Sequence, residues 1–338
     1  MLGPTLLRAS RSPRMRNAVQ SYRLTRKVVT RFVAGETTDD AVAAASALHR
    51  SGRATTIDVL GEDVTDLASA RQTRDAYVKL LYRLHQASAA APSEVSLKLT
   101  AVGLQLPGNG EDVALQHARE ICTAADAVGC RVTLDMEDHN TVDSTLAIGA
   151  ELRRTFPFAG NVLQANLRRT GDDLAALASS GARIRLVKGA YREPRELAFQ
   201  RKNEVDEAYR QGITTLMGSR CYPMIATHDP VMLNEARACA ELAGRGPTDW
   251  EVQMLYGIGQ QTQDSILASG GRVRVYLPFG TDWYGYFMRR LAERPANVAF
   301  FLRALAKGQA SPRDALPTRA PSRSDSPGPV AIGSQLYR

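Results

Sequence analysis

Short strand-like runs alternate with amphipathic segments along the chain from residue 54 onward. Eight runs rich in β-branched and aliphatic residues have the length of a strand, at 55–60, 95–101, 131–136, 161–166, 183–188, 222–227, 250–255 and 272–277. Segments with helical periodicity lie between most of these runs and after the last one, at 66–89, 112–128, 141–155, 193–217, 229–243, 261–269 and 282–306. This alternation predicts strand–helix units, which place their strands parallel to one another.

The number of units selects one parallel architecture over another. Eight strand–helix units over about 250 residues match the size of a (β/α)8 barrel. A doubly wound sheet also alternates, but it usually has fewer strands and opens with a glycine-rich phosphate turn. No GxGxxG pattern follows the run at 55–60. We therefore predict an α/β fold of the (β/α)8, TIM-like type.

Composition divides the chain into three predicted parts. Residues 1–53 form a basic segment, in which 15–53 are expected to be helices packed outside the barrel. Residues 54–307 form the predicted barrel. Residues 308–338 contain five prolines among many Ser, Arg and Gly residues without periodicity. Such a composition is typical of a disordered tail.

The net charge of +8 comes from the N-terminal segment. Residues 1–35 carry seven Arg, one Lys and no acid. Removing these eight from the 43 basic residues leaves 35, which equals the 35 acidic residues. The basic segment is consistent with contact to an anionic membrane surface, with a transit-peptide-like leader or with an ordinary Arg-rich helix. The rest of the chain has no basic stripe, so nucleic-acid binding is not expected.

The four cysteines give no sign of a metal or disulfide framework. Cys122, Cys130, Cys221 and Cys239 are scattered without CxxC spacing. No window approaches 18 uninterrupted apolar residues, so no membrane-spanning helix is expected. A reducing compartment, and hence a cytoplasmic location, is the predicted setting. Peripheral contact on the inner face of the cell membrane is a second possibility.

Polar and aromatic residues collect at the C-terminal ends of the predicted strands, where (β/α)8 enzymes carry their active sites. They include Lys98, Asp135, Glu137, Asp138, His139, Gln164, Arg185, Lys188, Thr227, His228, Gln253, Tyr256 and Tyr276. Lys98 is either a Schiff-base nucleophile or a charge partner, because an unpaired buried ammonium is costly. Lys188 and Gly189 suggest a place where a phosphate approaches the backbone. Asp229 and Pro230 form a good helix start.

The acidic cluster after the third predicted strand has the residue types of a hard-metal site. Asp135, Glu137, Asp138 and His139 lie within five positions. Strand alternation sends neighbours to opposite faces, so no more than two of them can easily converge. We predict no metal.

The stretch PFGTDWYGYFMRRLAERP follows the last predicted strand. In a helix beginning near Asp282, the side chains of Tyr286, Arg289, Arg290 and Glu293 share one face at spacings i, i+3, i+4 and i+7. That face is either solvated or, because it follows the barrel mouth, a clamp in which two guanidinium groups hold a carboxylate. Neighbouring tyrosines would then pack against a small apolar ring.

Seven motifs occur in the order and spacing of one known family. SLKLT, TLDMED, VLQA, RLVKGAYREP, ATHDP, QMLYG and YLPFGTDWYGYFMRRLAERP resemble the monofunctional proline dehydrogenases of bacteria from about residue 20 to 306. The resemblance implies a distorted barrel, a final helix over its mouth and non-covalent FAD. It also implies oxidation of L-proline to Δ1-pyrroline-5-carboxylate, with electrons passed to membrane quinone and the product passed to a separate pyrroline-5-carboxylate dehydrogenase.

The resemblance also implies roles for individual residues. Those expected at the proline carboxylate are Lys98, Arg289 and Arg290, and those enclosing the ring are Ala190, Leu255, Tyr276 and Tyr286. The expected catalytic residues are Asp135, which orients the cluster, and Arg185, near the flavin N5. Those expected at FAD are Met136, Gln164, Arg185, Lys188, Gly189, Ala190, Thr227, His228 and Glu293, the last also pairing with the arginines. Asn166 replaces a tyrosine that the family often has, which questions the local flavin packing.

Two other functions compete with this interpretation. A lysine-dependent aldolase or lyase on the same barrel would use Lys98 or Lys188 as its nucleophile. A non-catalytic barrel would bind a carboxylate without any flavin. A visible spectrum before and after addition of proline distinguishes the three, because only a flavoenzyme is yellow and bleached by its substrate.

Overall fold

The computed structural model describes residues 29–90 and 93–287. The strands in this part of the chain are β1 (Ala54–Val59), β2 (Ser93–Leu97), β3 (Arg131–Leu134), β4 (Gly160–Gln164), β5 (Arg183–Val187), β6 (Tyr222–Ala226), β7 (Glu251–Leu255) and β8 (Val273–Phe279). The α-helices are α1 (Thr38–Arg50), α2 (Leu67–Gln86), α3 (Gly110–Ala127), α4 (Val142–Arg153), α5 (Thr170–Leu177), α6 (Lys202–Met217), α7 (Pro230–Leu242) and α8 (Gln260–Ala268).

The eight strands form a closed parallel barrel in chain order, from β1 to β8 and back to β1. The closing pair aligns Thr55 with Val275 and Ile57 with Leu277. Each of the first seven strands is followed by one of the helices α2 to α8. The predicted (β/α)8 fold is therefore confirmed. No helix in residues 29–90 or 93–287 is long and apolar enough to cross a membrane.

The alternation of side chains along the strands separates two environments. Aliphatic side chains such as Ile57, Val95 and Leu186 are fully buried in the apolar clusters of the molecule. The residues next to them along the strands point into the barrel, where they are mostly polar or charged. Barrel interiors are usually filled by branched aliphatic residues. The charged interior of this barrel therefore indicates a functional role in addition to packing.

The largest differences between the predicted segments and the structure are two boundaries and one helix that was not predicted. β2 ends at Leu97 rather than at 101, because residues 99–102 turn into a short 3-10 helix. α6 begins at Lys202 rather than at 193. Arg201 is still extended, and its backbone N–H donates to the Glu204 carboxylate at 3.1 Å, which caps the helix. α5 was not among the predicted segments.

The beginning of the final helical segment packs against the first described turn of the chain. Residues 283–287 are helical. Trp283, Tyr284 and Phe287 are buried in one cluster with Phe32 and Val33. Residues 1–28, 91–92 and 288–338 lie outside the described residues, and with them most of the predicted basic segment, the predicted tail and most of the predicted final helix. The three-part division of the chain thus stays a prediction.

Candidate active site

A cavity of about 520 Å³ opens at the C-terminal ends of the strands. Its wall contains every predicted site residue that the structure describes: Lys98, Asp135, Met136, Gln164, Arg185, Lys188, Gly189, Ala190, Thr227, His228, Leu255, Tyr276 and Tyr286. Arg289, Arg290 and Glu293 lie outside the described residues. Because parallel strands end at the same rim, residues from β2 to β8 converge there although they are far apart in sequence.

Asp135 and Arg185 form the centre of the polar network in the cavity. The Arg185 Nη1 donates to Asp135 Oδ1 at 2.6 Å and to Ser96 Oγ at 2.9 Å. The Ser96 hydroxyl donates to the same carboxylate oxygen at 2.7 Å. The Tyr276 hydroxyl donates to Asp135 Oδ2 at 2.7 Å. Donors from three strands, β2, β5 and β8, therefore fix the position of one carboxylate.

Tyr276 combines a polar and an aromatic contact in this network. The Arg185 guanidinium carbon lies 5.4 Å from the centre of its ring. Burial, and then the charge of Asp135, raise the pKa of Tyr276 well above its usual range. The hydroxyl therefore stays protonated and donates to Asp135, and the ring is left to pack against a ligand.

Lys98 is paired with Asp58, a residue that the sequence analysis did not select. The Lys98 Nζ donates to both oxygens of Asp58, at 2.8 Å each. It lies 4.0 Å from Asp135 Oδ2. Burial alone would lower the pKa of Lys98, but the charges of Asp58 and Asp135 outweigh burial and raise it above its usual range. Lys98 is therefore an ammonium ion, not a free amine.

Lys188 and Gly189 line the cavity directly after the end of β5. The Lys188 Nζ is 2.5 Å from Asp206 Oδ1 and 3.3 Å from Asp229 Oδ2. Gly189 has φ of 107°, and a Cβ at this position would overlap the side chain of Asn166. Only glycine fits such a position without strain. At Gly189 the backbone therefore forms part of the cavity wall with no side chain to cover it.

The residues after β3 separate rather than forming one acidic site. Asp135 points into the barrel, whereas Glu137 accepts bonds from the Thr100 hydroxyl at 2.5 Å and from the Thr100 N–H at 3.1 Å. His139 Nδ1 lies 2.5 Å from Glu193 Oε2. Asp138 caps the short helix that follows, by accepting from the N–H two residues on at 3.0 Å. No group of three metal-ligating side chains occurs in the described parts of the chain.

Gln164 is anchored beside this segment, because its Nε2 donates to the backbone oxygen of Glu137 at 2.8 Å. Burial raises the pKa of Glu137 to about 7, although the bonds from Thr100 oppose the shift. On the other side of the mouth, the Leu255 N–H donates to His228 Nε2 at 3.0 Å. A neutral His228 therefore carries its proton on Nδ1. Backbone groups thus fix both polar side chains at the rim.

The match to known proteins decides the family of the chain. The family model described as proline dehydrogenase matches residues 41–303. The chain belongs to the proline dehydrogenase family. It is 41% identical over 280 residues to the proline dehydrogenase of Deinococcus radiodurans, which covers 82% of this chain and 90% of that protein. It is 39% identical over 285 residues to proline dehydrogenase 1 of Bacillus subtilis strain 168, covering 84% and 92% respectively.

Solved structures agree with the fold of this proline dehydrogenase family member. Proline utilization A from Bdellovibrio bacteriovorus superposes with a TM-score of 0.76 at 24% identity, covering 93% of this chain and 38% of that chain. A second one, from Bradyrhizobium japonicum, gives a TM-score of 0.67 at 23% identity and covers 86% of this chain and 33% of that chain. The chain thus spans about a third of these larger proteins, and at such identity the likeness shows the fold alone.

Sequence reasoning missed the charged layer beneath the cavity. Glu94 is fully buried and accepts from Arg185 at 2.9 Å and from Arg183 at 3.2 Å. Deeper still, the Arg274 Nε donates to Glu251 at 2.7 Å. Burial alone would raise the pKa of Glu94, but these three arginines lower it to about 2. A sequence signal for this layer was available in RIR (183–185) and RVRVY (272–276). Arginines at alternate positions of a strand lie on the same face.

Proposed function

We propose that this protein oxidises L-proline to Δ1-pyrroline-5-carboxylate and uses FAD as its cofactor. The observation that carries the proposal is the Asp135 network, which fixes Arg185 and Tyr276 at the wall of one cavity that Lys98 also lines. Cations and an aromatic ring on one wall suit a small carboxylate with an apolar body. Proline is such a molecule, and membership of the proline dehydrogenase family supports its oxidation as the reaction.

The residues present fit a flavin dinucleotide. The cavity lies in the range of about 300–1,000 Å³ that is usual for small-molecule sites. The buried Arg185 Nε has no hydrogen-bond partner among the described residues, so one donor is left for a ligand atom. At the other end, Lys188 and the bare backbone of Gly189 suit a pyrophosphate. Thr227, His228, Gln164 and Met136 would hold the groups between.

The side chains of this site bind and orient the substrate. Lys98, with Arg289 and Arg290, would hold the proline carboxylate, and Tyr276, Tyr286, Leu255 and Ala190 would enclose the ring. When bound, the flavin would accept the hydride that leaves proline C5. The Asp135 network would keep Arg185 and Tyr276 fixed during this step, so that no reorganisation is needed.

The same geometry disfavours the Schiff-base alternative. A lysine nucleophile must be a neutral amine. Lys98 is held as an ammonium ion by Asp58, and Lys188 is paired with two carboxylates. Lys98 is for the same reason a poor acceptor for the proton of the proline amine, so that solvent is the better acceptor.

The visible spectrum of the purified protein tests the proposal. We expect a yellow protein with absorbance near ~450 nm, a general property of oxidised flavin, that is bleached by L-proline under anaerobic conditions. D-proline serves as the matched control, because a site that fixes the positions of both the carboxylate and the ring selects one enantiomer of the substrate. A protein that takes up no flavin, or a flavin that L-proline leaves oxidised, would refute the function.

The electron acceptor is proposed to be a membrane quinone, reached by peripheral contact of the basic residues 1–35 with an anionic surface. A quinone embedded in liposomes tests both statements, because electrostatic attraction requires anionic lipid. We expect proline-dependent quinone reduction to be faster with anionic than with neutral liposomes, and the difference to shrink at high salt. Equal rates on both lipids would contradict surface contact, and no reduction on either would contradict the acceptor.

A further inference from the structure

Asp58 is a buried carboxylate that no feature of the sequence singled out. It lies near the C-terminal end of β1, has no exposed surface and lines the cavity. Both of its oxygens accept from the Lys98 Nζ at 2.8 Å. Burying a carboxylate lowers the stability of a fold through loss of hydration. A buried carboxylate that lines a ligand cavity therefore indicates a role in that site.

Asp58 accepts directly from Lys98, whereas Asp135 lies farther from the lysine nitrogen and accepts from other groups. Asp135 Oδ2 is 4.0 Å from the Lys98 Nζ and accepts from the Tyr276 hydroxyl. The other Asp135 oxygen accepts from Arg185 and from Ser96. Of these two acids, Asp58 accepts from the lysine, whereas Asp135 accepts from the arginine and the tyrosine, and the tyrosine also acts on the pKa of Asp58.

We propose that Asp58 is a positioning residue, which fixes the Lys98 ammonium in its charged form against the cavity wall and so prepares it to bind the carboxylate of the substrate. The inference rests on the proposed function, since it takes the ligand to be a small carboxylate. Asp58 itself would not bind the substrate carboxylate, because two negative charges repel each other. An ammonium ion has three donors, so Lys98 can serve Asp58 and a ligand together.

Several ionisable groups act on Lys98 from the surrounding elements. They are Asp58 from β1, Glu62 after β1, Tyr77 from α2, Asp135 from β3 and Glu137 after β3, with Tyr276 of β8 bonded to Asp135. Burial of Lys98 favours the neutral amine, and Asp58 is the largest of the opposing influences on its pKa. Without Asp58 the pKa of Lys98 therefore falls, and the ammonium is lost as the pH rises.

Calorimetric titration with tetrahydrofuran-2-carboxylate tests this role apart from turnover. This proline analogue has an oxygen in place of the ring nitrogen, so it has no amine to titrate. For Asp58→Asn we expect the dissociation constant to rise by about tenfold or more between pH 7 and pH 9.5, because the largest influence that opposes burial and raises the pKa of Lys98 has been removed. The unchanged protein should shift by less than about threefold. Equal pH dependence in the two proteins would overturn the proposal.

A second comparison does not depend on the folding of the single variant. Lys98→Met and the double variant Asp58→Asn/Lys98→Met should bind the analogue equally weakly, within about threefold, because Asp58 acts only through Lys98. A double variant roughly tenfold weaker than Lys98→Met would overturn the proposal. Glu251→Gln is the matched control, since it removes another buried carboxylate from the barrel interior, one that bonds to Arg274, and it should leave the pH dependence unchanged.

Failure of this inference differs from failure of the proposed function. If the unchanged protein binds the analogue and its flavin is bleached by L-proline, but Asp58→Asn behaves like it, only the role of Asp58 is wrong. If the unchanged protein binds no analogue at any pH, the assignment of the site as a proline carboxylate site fails, and the role of Asp58 fails with it.

Discussion

Replacing Arg185 by methionine is expected to lower the rate of proline oxidation by roughly 10²–10³-fold and to destabilise the fold by about 3–5 kcal/mol. Both effects have one cause. The guanidinium group bridges Asp135 at 2.6 Å and Glu94 at 2.9 Å, and it is only 3% exposed. Its removal leaves two buried carboxylates with fewer counter-charges and releases Asp135, which orients Tyr276. Dye-coupled steady-state kinetics and chemical denaturation measure the two losses.

Two matched variants separate stability from catalysis in this prediction. Arg185→Lys keeps the charge but lacks the planar fork that bonds two carboxylates at once, so it should recover most of the stability and little of the activity. Arg183→Met removes a neighbouring guanidinium from the same network, but Arg183 does not line the cavity. It should lose stability and keep KM and kcat within a few-fold. An Arg185→Met enzyme with unchanged kcat would refute the role of Arg185.

Replacing Arg289 or Arg290 by alanine is expected to raise KM for proline by roughly 10–100-fold each, since each change removes a charge-assisted contact worth about 1.5–3 kcal/mol. Both residues lie beyond the described part of the chain. The prediction rests on sequence spacing, in which Arg289 and Arg290 come three and four residues after Tyr286, a residue that lines the cavity. Steady-state kinetics over a wide range of proline concentration measure the change.

The control for the arginine pair is Arg303→Ala, which removes one positive charge from the same region of sequence outside the predicted face. It should leave KM unchanged. Substrate charge gives a second control, because prolinamide lacks the carboxylate and should lose far less binding in the Arg289 and Arg290 variants than proline does. Unchanged KM for proline in both variants would mean that the carboxylate is held elsewhere, and the predicted clamp would be wrong.

The barrel and its rim were predictable from local patterns. Eight runs with turn residues between them predict eight strands, and a parallel barrel brings all their C-terminal ends to one rim. The positions of Lys98, Gln164 and Tyr276 at this rim are therefore predictable from the sequence alone. Boundaries were less certain where another local structure competed. The 3-10 turn at residues 99–102 shortens β2, and the loop before Lys202 delays α6.

The pairing of charges was decided only by tertiary structure. Lys98 meets Asp58 across 40 residues of sequence, and Arg185 meets Glu94 across 91. Alternation along a strand shows which residues share the inner face, but the partner on that face depends on how neighbouring strands are staggered in the closed barrel. Local sequence does not determine this stagger, because the stagger results from packing all eight strands and their helices together. The sequence by itself thus determined the family, the barrel and the residues at its rim, whereas closure of the barrel decided that Asp135 holds Arg185 and that Asp58 holds Lys98.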